Sequence, residues 1–213
     1  MPSDGGSWIV AMDRHDLLEL HCIAPIANLA SIASLGILSH NRAALVAHLD
    51  VSDAEIQDRR KGKLVPDARR SKPRELHDYA NLYICGRNPM MYVRRERHDE
   101  LVLLRVSCDV LDLNEAVIAD GNASSNYTGF HSAPRGLAAI DEAITFAGDP
   151  RHSNVYEFYD RKRRQCAEVL VPDRTPSEYI TGAYVSCEES RDQCEDLEVP
   201  WPLTLDPEKF FLT

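Results

Sequence analysis

RKRRQCAEVLVP, residues 161–172, is the stretch from which the rest of the chain is read. Four basic residues run into an apolar segment, Cys166 to Val171, that Pro172 ends and that carries one carboxylate, Glu168. The short apolar run, its β-branched content and the bounding proline predict a buried strand. Alternation along a strand sets Cys166, Glu168 and Leu170 on one face and Ala167, Val169 and Val171 on the other. A lone carboxylate there is costly unless a cation, hydrogen bonds or water meet it. An ion pair with Arg161, Arg163 or Arg164 is one answer. A carboxylate held rigidly for chemistry is the other.

Outward from this strand, the chain alternates strand and helix signals. LLELHCIA (17–24) predicts a strand. PIANLASIASLG (25–36) predicts a helix opened by Pro25, striped by Ile26, Leu29, Ala30 and Ala33, and closed by Gly36. SDAEIQDRR (52–60) is helix-like and leads into a basic loop. HDYANLYIC (77–85) is a strand that enters the turn GRNPMMY, and LVLLRVSCDVLDL (101–113) is strongly β-like. DGNASSNYTGFHSA (120–133) is loop by composition, PRGLAAIDEAITFA (134–147) predicts a helix, and ITGAYVSC (180–187) a strand. The expectation is an α+β domain over residues 1–187, with an acidic tail, residues 188–213, packed on or trailing from it.

Composition narrows the classes. A net charge of −10 argues against a general nucleic-acid binder. The charge is uneven, however. Residues 59–74 hold eight Lys or Arg against one Asp, and residues 188–209 hold eight acids against two basic residues. A phosphate-facing surface on 59–74, screened by the acidic tail, is one reading. No run approaches a membrane span, and MPSDGGSWIVAMDRHD lacks the apolar region of a signal peptide. The six cysteines form no C-x-x-C and meet no histidine pair, which predicts reduced thiols in a cytoplasmic protein and no metal site. GxxxxGK[ST], GxGxxG, GxSxG and HExxH are absent, which removes the usual phosphate-loop, dinucleotide, serine-hydrolase and zinc-protease readings.

What remains is a scattered set: His21 in the first strand, Arg59 and Arg60, Tyr83, Arg87, Met90 and Tyr92 around a turn, His131 in a loop, and Glu168. Singly, each reads as core or surface. In order, they carry a resemblance. LHCIAPIANLASIASLGILS, IQDRR, LHDYANLYICGRNPMMY, DGNASSNYTGFH and RRQCAEVLVP resemble successive segments of the DarT family, toxins that ADP-ribosylate DNA using NAD, over residues 17–186. Where the family opening reads His-x-Thr this chain has Ile23, and Cys166 adds a residue within Arg-Gln-Ala-Glu.

The resemblance implies an ADP-ribosyltransferase-like fold, with two facing small β-sheets and helices around an NAD cleft. It implies Glu168 as the catalytic carboxylate and Arg59 as its partner at the pyrophosphate, with Arg60 as the alternative one register away. His21, Ile23, Asn28, Arg60, Tyr83 and Met90 would line the co-substrate, with Tyr83 stacking on nicotinamide. Arg87, Tyr92, His131, Arg161 and Arg163 would meet single-stranded DNA. The natural partner would be a macrodomain-type antitoxin. Two other classes stay open: an ADP-ribosyltransferase acting on RNA or protein, and a non-catalytic nucleic-acid module built on residues 59–74.

Overall fold

The structure, a computed structural model, describes residues 12–49, 54–67 and 69–212. The N-terminal residues 1–11, on which the signal-peptide reading rests, lie outside them. β1 (Leu20–Pro25) leads through a single 3-10 turn into α1 (Leu29–Leu35). Gly36 ends α1 at φ 82°, and a Cβ there would lie 2.2 Å from the Thr175 carbonyl oxygen, so the turn admits only glycine. β2 (Ile37–Leu38), α2 (His40–Ala43), α3 (Ala54–Arg60), β3 (Leu64–Val65), β4 (Arg74–Glu75) and β5 (Tyr79–Tyr83) follow, then α4 (Pro89–Arg94) and β6 (Leu101–Val106). The second half contains β7 (Val117–Ala119), β8 (Phe130–Ser132), α5 (Glu142–Thr145), α6 (Val155–Arg164) and β9 (Glu168–Pro172). β10 (Arg174–Thr175), β11 (Ile180–Val185), α7 (Glu188–Asp196) and β12 (Leu203–Leu205) complete it.

Eight strands form one ladder in the order β12-β11-β6-β1-β5-β9-β7-β8. β1 pairs β6 along its whole length and β5 pairs β9 along its whole length. β1 and β5 meet at one pair only, His21 opposite Tyr83. The ladder is therefore two four-stranded halves touching at one point, and these are the two small sheets expected in an α+β chain.

Side-chain alternation gives the faces different characters. One face is continuous core, with Leu20, Leu82, Leu104, Ile118, Val169 and Val171 in a single cluster. The other carries two separate clusters. Val65, Leu76, Tyr79, Val117 and Leu170 cover one half, and Met91, Leu101, Leu103 and Phe210 cover the other. His21, Tyr83 and Glu168 follow each other across the strands between those clusters, in one row of partnered residues.

Four expectations change. Residues 134–147 are not one helix: a 3-10 turn, Arg135–Ala139, ends at extended Ile140, and Asp141 caps the short α5 by accepting from the Ile144 N–H. The strand expected to Leu113 stops at Val106, because Ser107 caps a 3-10 segment, Cys108–Asp112. The 120–133 loop ends in β8, which pairs β7. The segment read as an acidic tail supplies α7, the parallel edge strand β12 and buried Phe210. Its acids line the outside while Val199, Trp201, Leu203 and Leu205 pack on the core. A boundary at residue 187 cuts through the sheet. Among the described residues, the ion pairs of Arg69, Arg70 and Arg74 go to Asp67, Glu115 and Asp173, not to acids of that segment. All six cysteines are free.

Candidate active site

Glu168 opens β9 and is 1% exposed. Tyr83 of β5 stands opposite on one side and Ala119 of β7 on the other. Each carboxylate oxygen is held. Oε1 accepts from the Ala123 backbone N–H at 3.0 Å, and Oε2 accepts from Arg60 Nη1 at 3.3 Å. Arg60 is itself buried. The cation that meets Glu168 is thus the last residue of α3, not one of the arginines preceding it in sequence. A charge pair at this depth fixes geometry more than it adds stability. Burial, then Glu168, pushes the Tyr83 phenol above its usual pKa, so it stays protonated. Burial, then Arg60, pulls nearby Lys63 down, against the opposing effect of Glu168; its Nζ donates to the Ser125 carbonyl at 2.5 Å.

The loop after β7 owes its place to Arg163. This side chain reaches out from α6, donates to Asp120 at 2.8 Å and Asp160 at 3.0 Å, and its own carbonyl accepts from the Asn122 N–H at 2.9 Å. A Cβ at Gly121 would fall 2.4 Å from Arg163 Nη1, so glycine is needed for that approach. Arg163, expected on DNA, instead holds the turn that presents Ala123 to Glu168.

A cavity of about 240 Å³ opens where β1 and β5 part. Ile23, Asn28, Arg60, Tyr83 and Met90 all line it. The Asn28 amide is already engaged, donating to the Leu49 carbonyl and accepting from the Leu49 N–H, both at 2.8 Å, so it secures the rim rather than offering free hydrogen bonds. Met90 is fixed because Asn88 caps α4, its Oδ1 accepting from the Met90 and Met91 N–H groups. His21 stands behind the wall. Its Nε2 meets Glu19 at 3.2 Å, Nδ1 is buried without a partner, and Gly86 packs so closely that a Cβ would lie 2.8 Å from the ring. Glu19 also accepts from Arg105 and Tyr184; burial would raise its pKa, but His21, Tyr184 and Arg105 together hold it down to about 2.

Five expected residues lie away from this cavity. Arg59 points outward, its side chain 61% exposed and paired with Glu55 at 2.5 Å. His131 pairs across to Ile118, one register from Glu168, so alternation turns it to the opposite face, where it lies 3.8 Å from Asp120. Arg87 stacks over Phe211 at 4.0 Å and donates to the Glu208 carbonyl at 2.9 Å, while Tyr92 meets Phe211 edge-on, so both anchor the C-terminal segment. Arg161 lies half-buried on α6, with its Nε enclosed and unpartnered. Sequence reasoning missed the Ala123 N–H, for which no side-chain signal exists. It also missed Asn88, which the Asn-Pro cap pattern at 88–89 could have revealed.

Among the described residues no three of His, Cys, Asp and Glu converge as a metal site requires, and none of their helices is long and apolar enough to cross a membrane. The family model described as ssDNA thymidine ADP-ribosyltransferase, DarT, matches residues 21–211. A DNA ADP-ribosyl transferase–DNA ADP-ribosyl glycohydrolase fusion protein of Thermosipho africanus is 30% identical over 205 residues, 91% of this chain and 50% of its own. The chain thus spans about half the length of that relative. The solved structure of Thermosipho africanus DarTG in complex with ADP-ribose superposes with a TM-score of 0.75 at 28% identity, covering 92% of this chain and 51% of that one. Thermus sp. 2.9 DarT in complex with ADP-ribosylated ssDNA shares the fold at a TM-score of 0.78 and 20% identity, covering 92% of this chain and 97% of that one. With a family model matching residues 21–211 and the same overall fold, this chain belongs to the DarT family.

Proposed function

We propose that this chain transfers ADP-ribose from NAD to thymidine in single-stranded DNA, in the cytoplasm, as the toxin of a toxin–antitoxin pair. The observation that carries the reading is Glu168, buried and held at both oxygens beside the cavity where the sheet halves part. The family's description names the acceptor. The fused glycohydrolase of the Thermosipho relative supports an ADP-ribose-removing partner of macrodomain type.

The chemistry follows from the residues. The bond between the nicotinamide nitrogen and the ribose anomeric carbon breaks, nicotinamide leaves with the electron pair, and positive charge develops on the ribose. Glu168 faces that charge without reorganising, because the Ala123 N–H and Arg60 already fix it. Arg60 meets the pyrophosphate charge from its position on the cavity wall. The neutral Tyr83 ring offers a flat surface to nicotinamide, and Met90 and Ile23 keep that end apolar. A ring nitrogen of the base then bonds to the anomeric carbon, and Glu168 accepts the proton it releases. An unpaired strand presents that nitrogen without the cost of unstacking a duplex.

The test is the mass of short single-stranded oligonucleotides incubated with the protein and NAD, beside Glu168→Gln. A gain of one ADP-ribose on thymidine-containing oligonucleotides, reduced by a factor of about 100 to 1000 in the variant, is expected. NAD consumption with every oligonucleotide unmodified would overturn DNA as the acceptor.

A further inference from the structure

Beside the cavity next to Glu168 lies a second, larger groove of about 1060 Å³. Met90 and Ile56 line both, so the two adjoin. Three tyrosines face the groove, and all are open to solvent: Tyr127 at 87%, Tyr156 at 82% and Tyr159 at 63%. Tyr156 and Tyr159 stand one turn apart on α6, on the same face as Arg163. Arg163 ties that face to the 120–128 loop, and the loop carries Tyr127. The same ion pairs that place Ala123 against Glu168 therefore place the three rings along one path. Arg59 and Lys162 border it, both exposed. Exposed aromatic rings on a wall with cationic rims mark a surface built for a flat, anionic, flexible partner.

We infer that Tyr127, Tyr156 and Tyr159 form a stacking platform for the bases flanking the target base, and that they set the strand preference of the enzyme. The inference rests on the proposed transfer to single-stranded DNA and deepens it. Each ring accepts any base by its π-face, while Lys162 and Arg59 meet the phosphates between them. Recognition by stacking favours unpaired strands by its nature, because duplex bases have no free face.

The experiment is a length series: single-stranded oligonucleotides with one thymidine and zero to four flanking nucleotides on either side, with NAD saturating. In the unmodified chain, KM for the oligonucleotide falls as flanking nucleotides are added. Tyr156→Ala and Tyr159→Ala, singly, are expected to raise KM for the longest oligonucleotides by roughly 5- to 100-fold, the range of one lost base stack, and to abolish the gain with length. Their kcat should hold within about two-fold. Tyr156→Phe and Tyr159→Phe should retain the gain, since the ring suffices. Lys162→Ala should flatten the dependence of log KM on log salt by about one unit. A length gain that survives both Ala variants overturns the platform and leaves the transferase reading intact, as does a Phe variant as weak as its Ala counterpart. NAD consumption with no oligonucleotide modified overturns the reading itself and the platform with it.

Discussion

Arg59 and Arg60 are adjacent in sequence and about 100° apart around α3. One points to solvent and Glu55, the other to Glu168. Removing Arg60 leaves Glu168 buried without its cation, so Arg60→Ala should cost about 3–5 kcal/mol of folding stability and silence transfer. Arg59→Ala, at an exposed pair, should change stability by about 0–1 kcal/mol. Urea denaturation of both variants checks the difference, and equal losses would refute the assignment. The burial of Glu168 in a strand was legible, since the apolar run around it leaves that segment few other places. Which arginine answers it was not, because the five residues IQDRR carry no record of helix phase. His131 failed for the equivalent reason in a strand: one step of register reverses the face.

At the scale of elements, α6 and the loop it holds matter most. Arg163→Ala releases Asp120 and the turn around Asn122, so Ala123 no longer meets Glu168 at a fixed distance. We expect kcat to fall about 10-fold or more while KM for NAD changes little, since no Arg163 atom lines the inner cavity; a loss confined to KM would contradict this. This helix was not foreseen. VYEFYDRKRR buries none of its residues fully and confines its apolar side chains to its first five positions, and its start depends on the Asn154 cap, whose side chain accepts from the Tyr156 and Glu157 N–H groups. The strands were easier. Residues 77–85, 101–106 and 168–172 carry enough apolar and β-branched side chains to announce themselves, whereas the breaks at Ser107 and Asp141 are hydrogen bonds that composition does not record.

In the molecule as a whole, the C-terminal segment and Glu19 bind the half of the sheet that carries His21. Phe210 is fully buried beside Met91, Leu101 and Leu103, and Phe210→Ala should cost about 3–5 kcal/mol, read as a lowered denaturant midpoint. A midpoint shift below about 1 kcal/mol would show the segment to be detachable. Acid composition and three prolines hid this part of the core, since Val199, Trp201, Leu203 and Leu205 alternate with proline and threonine between acidic stretches. Glu19 joins β1 to β6 and β11 through Arg105 and Tyr184. Its folded pKa of about 2 lies below the ordinary 4.5, so its contribution is complete above that ordinary value and is lost as pH falls toward 2. At about 1.4 kcal/mol per unit, the loss is on the order of 3 kcal/mol. Melting curves between pH 7 and pH 3 should show Glu19→Gln flatter than the unmodified chain, and parallel curves would assign the acid sensitivity elsewhere.

The two halves of the sheet interleave along the chain: β5, β7, β8 and β9 make one, and β1, β6, β11 and β12 the other. On a translating ribosome, the half that carries Glu168 has all its strands once residue 172 has emerged, while the half that carries His21 still waits for residues 180–205. No contiguous fragment contains one half alone, so no early piece of the nascent polypeptide closes the cleft. The cleft therefore gains its second wall only when residue 205 has emerged, and a chain stopped short of that point is expected to leave NAD untouched.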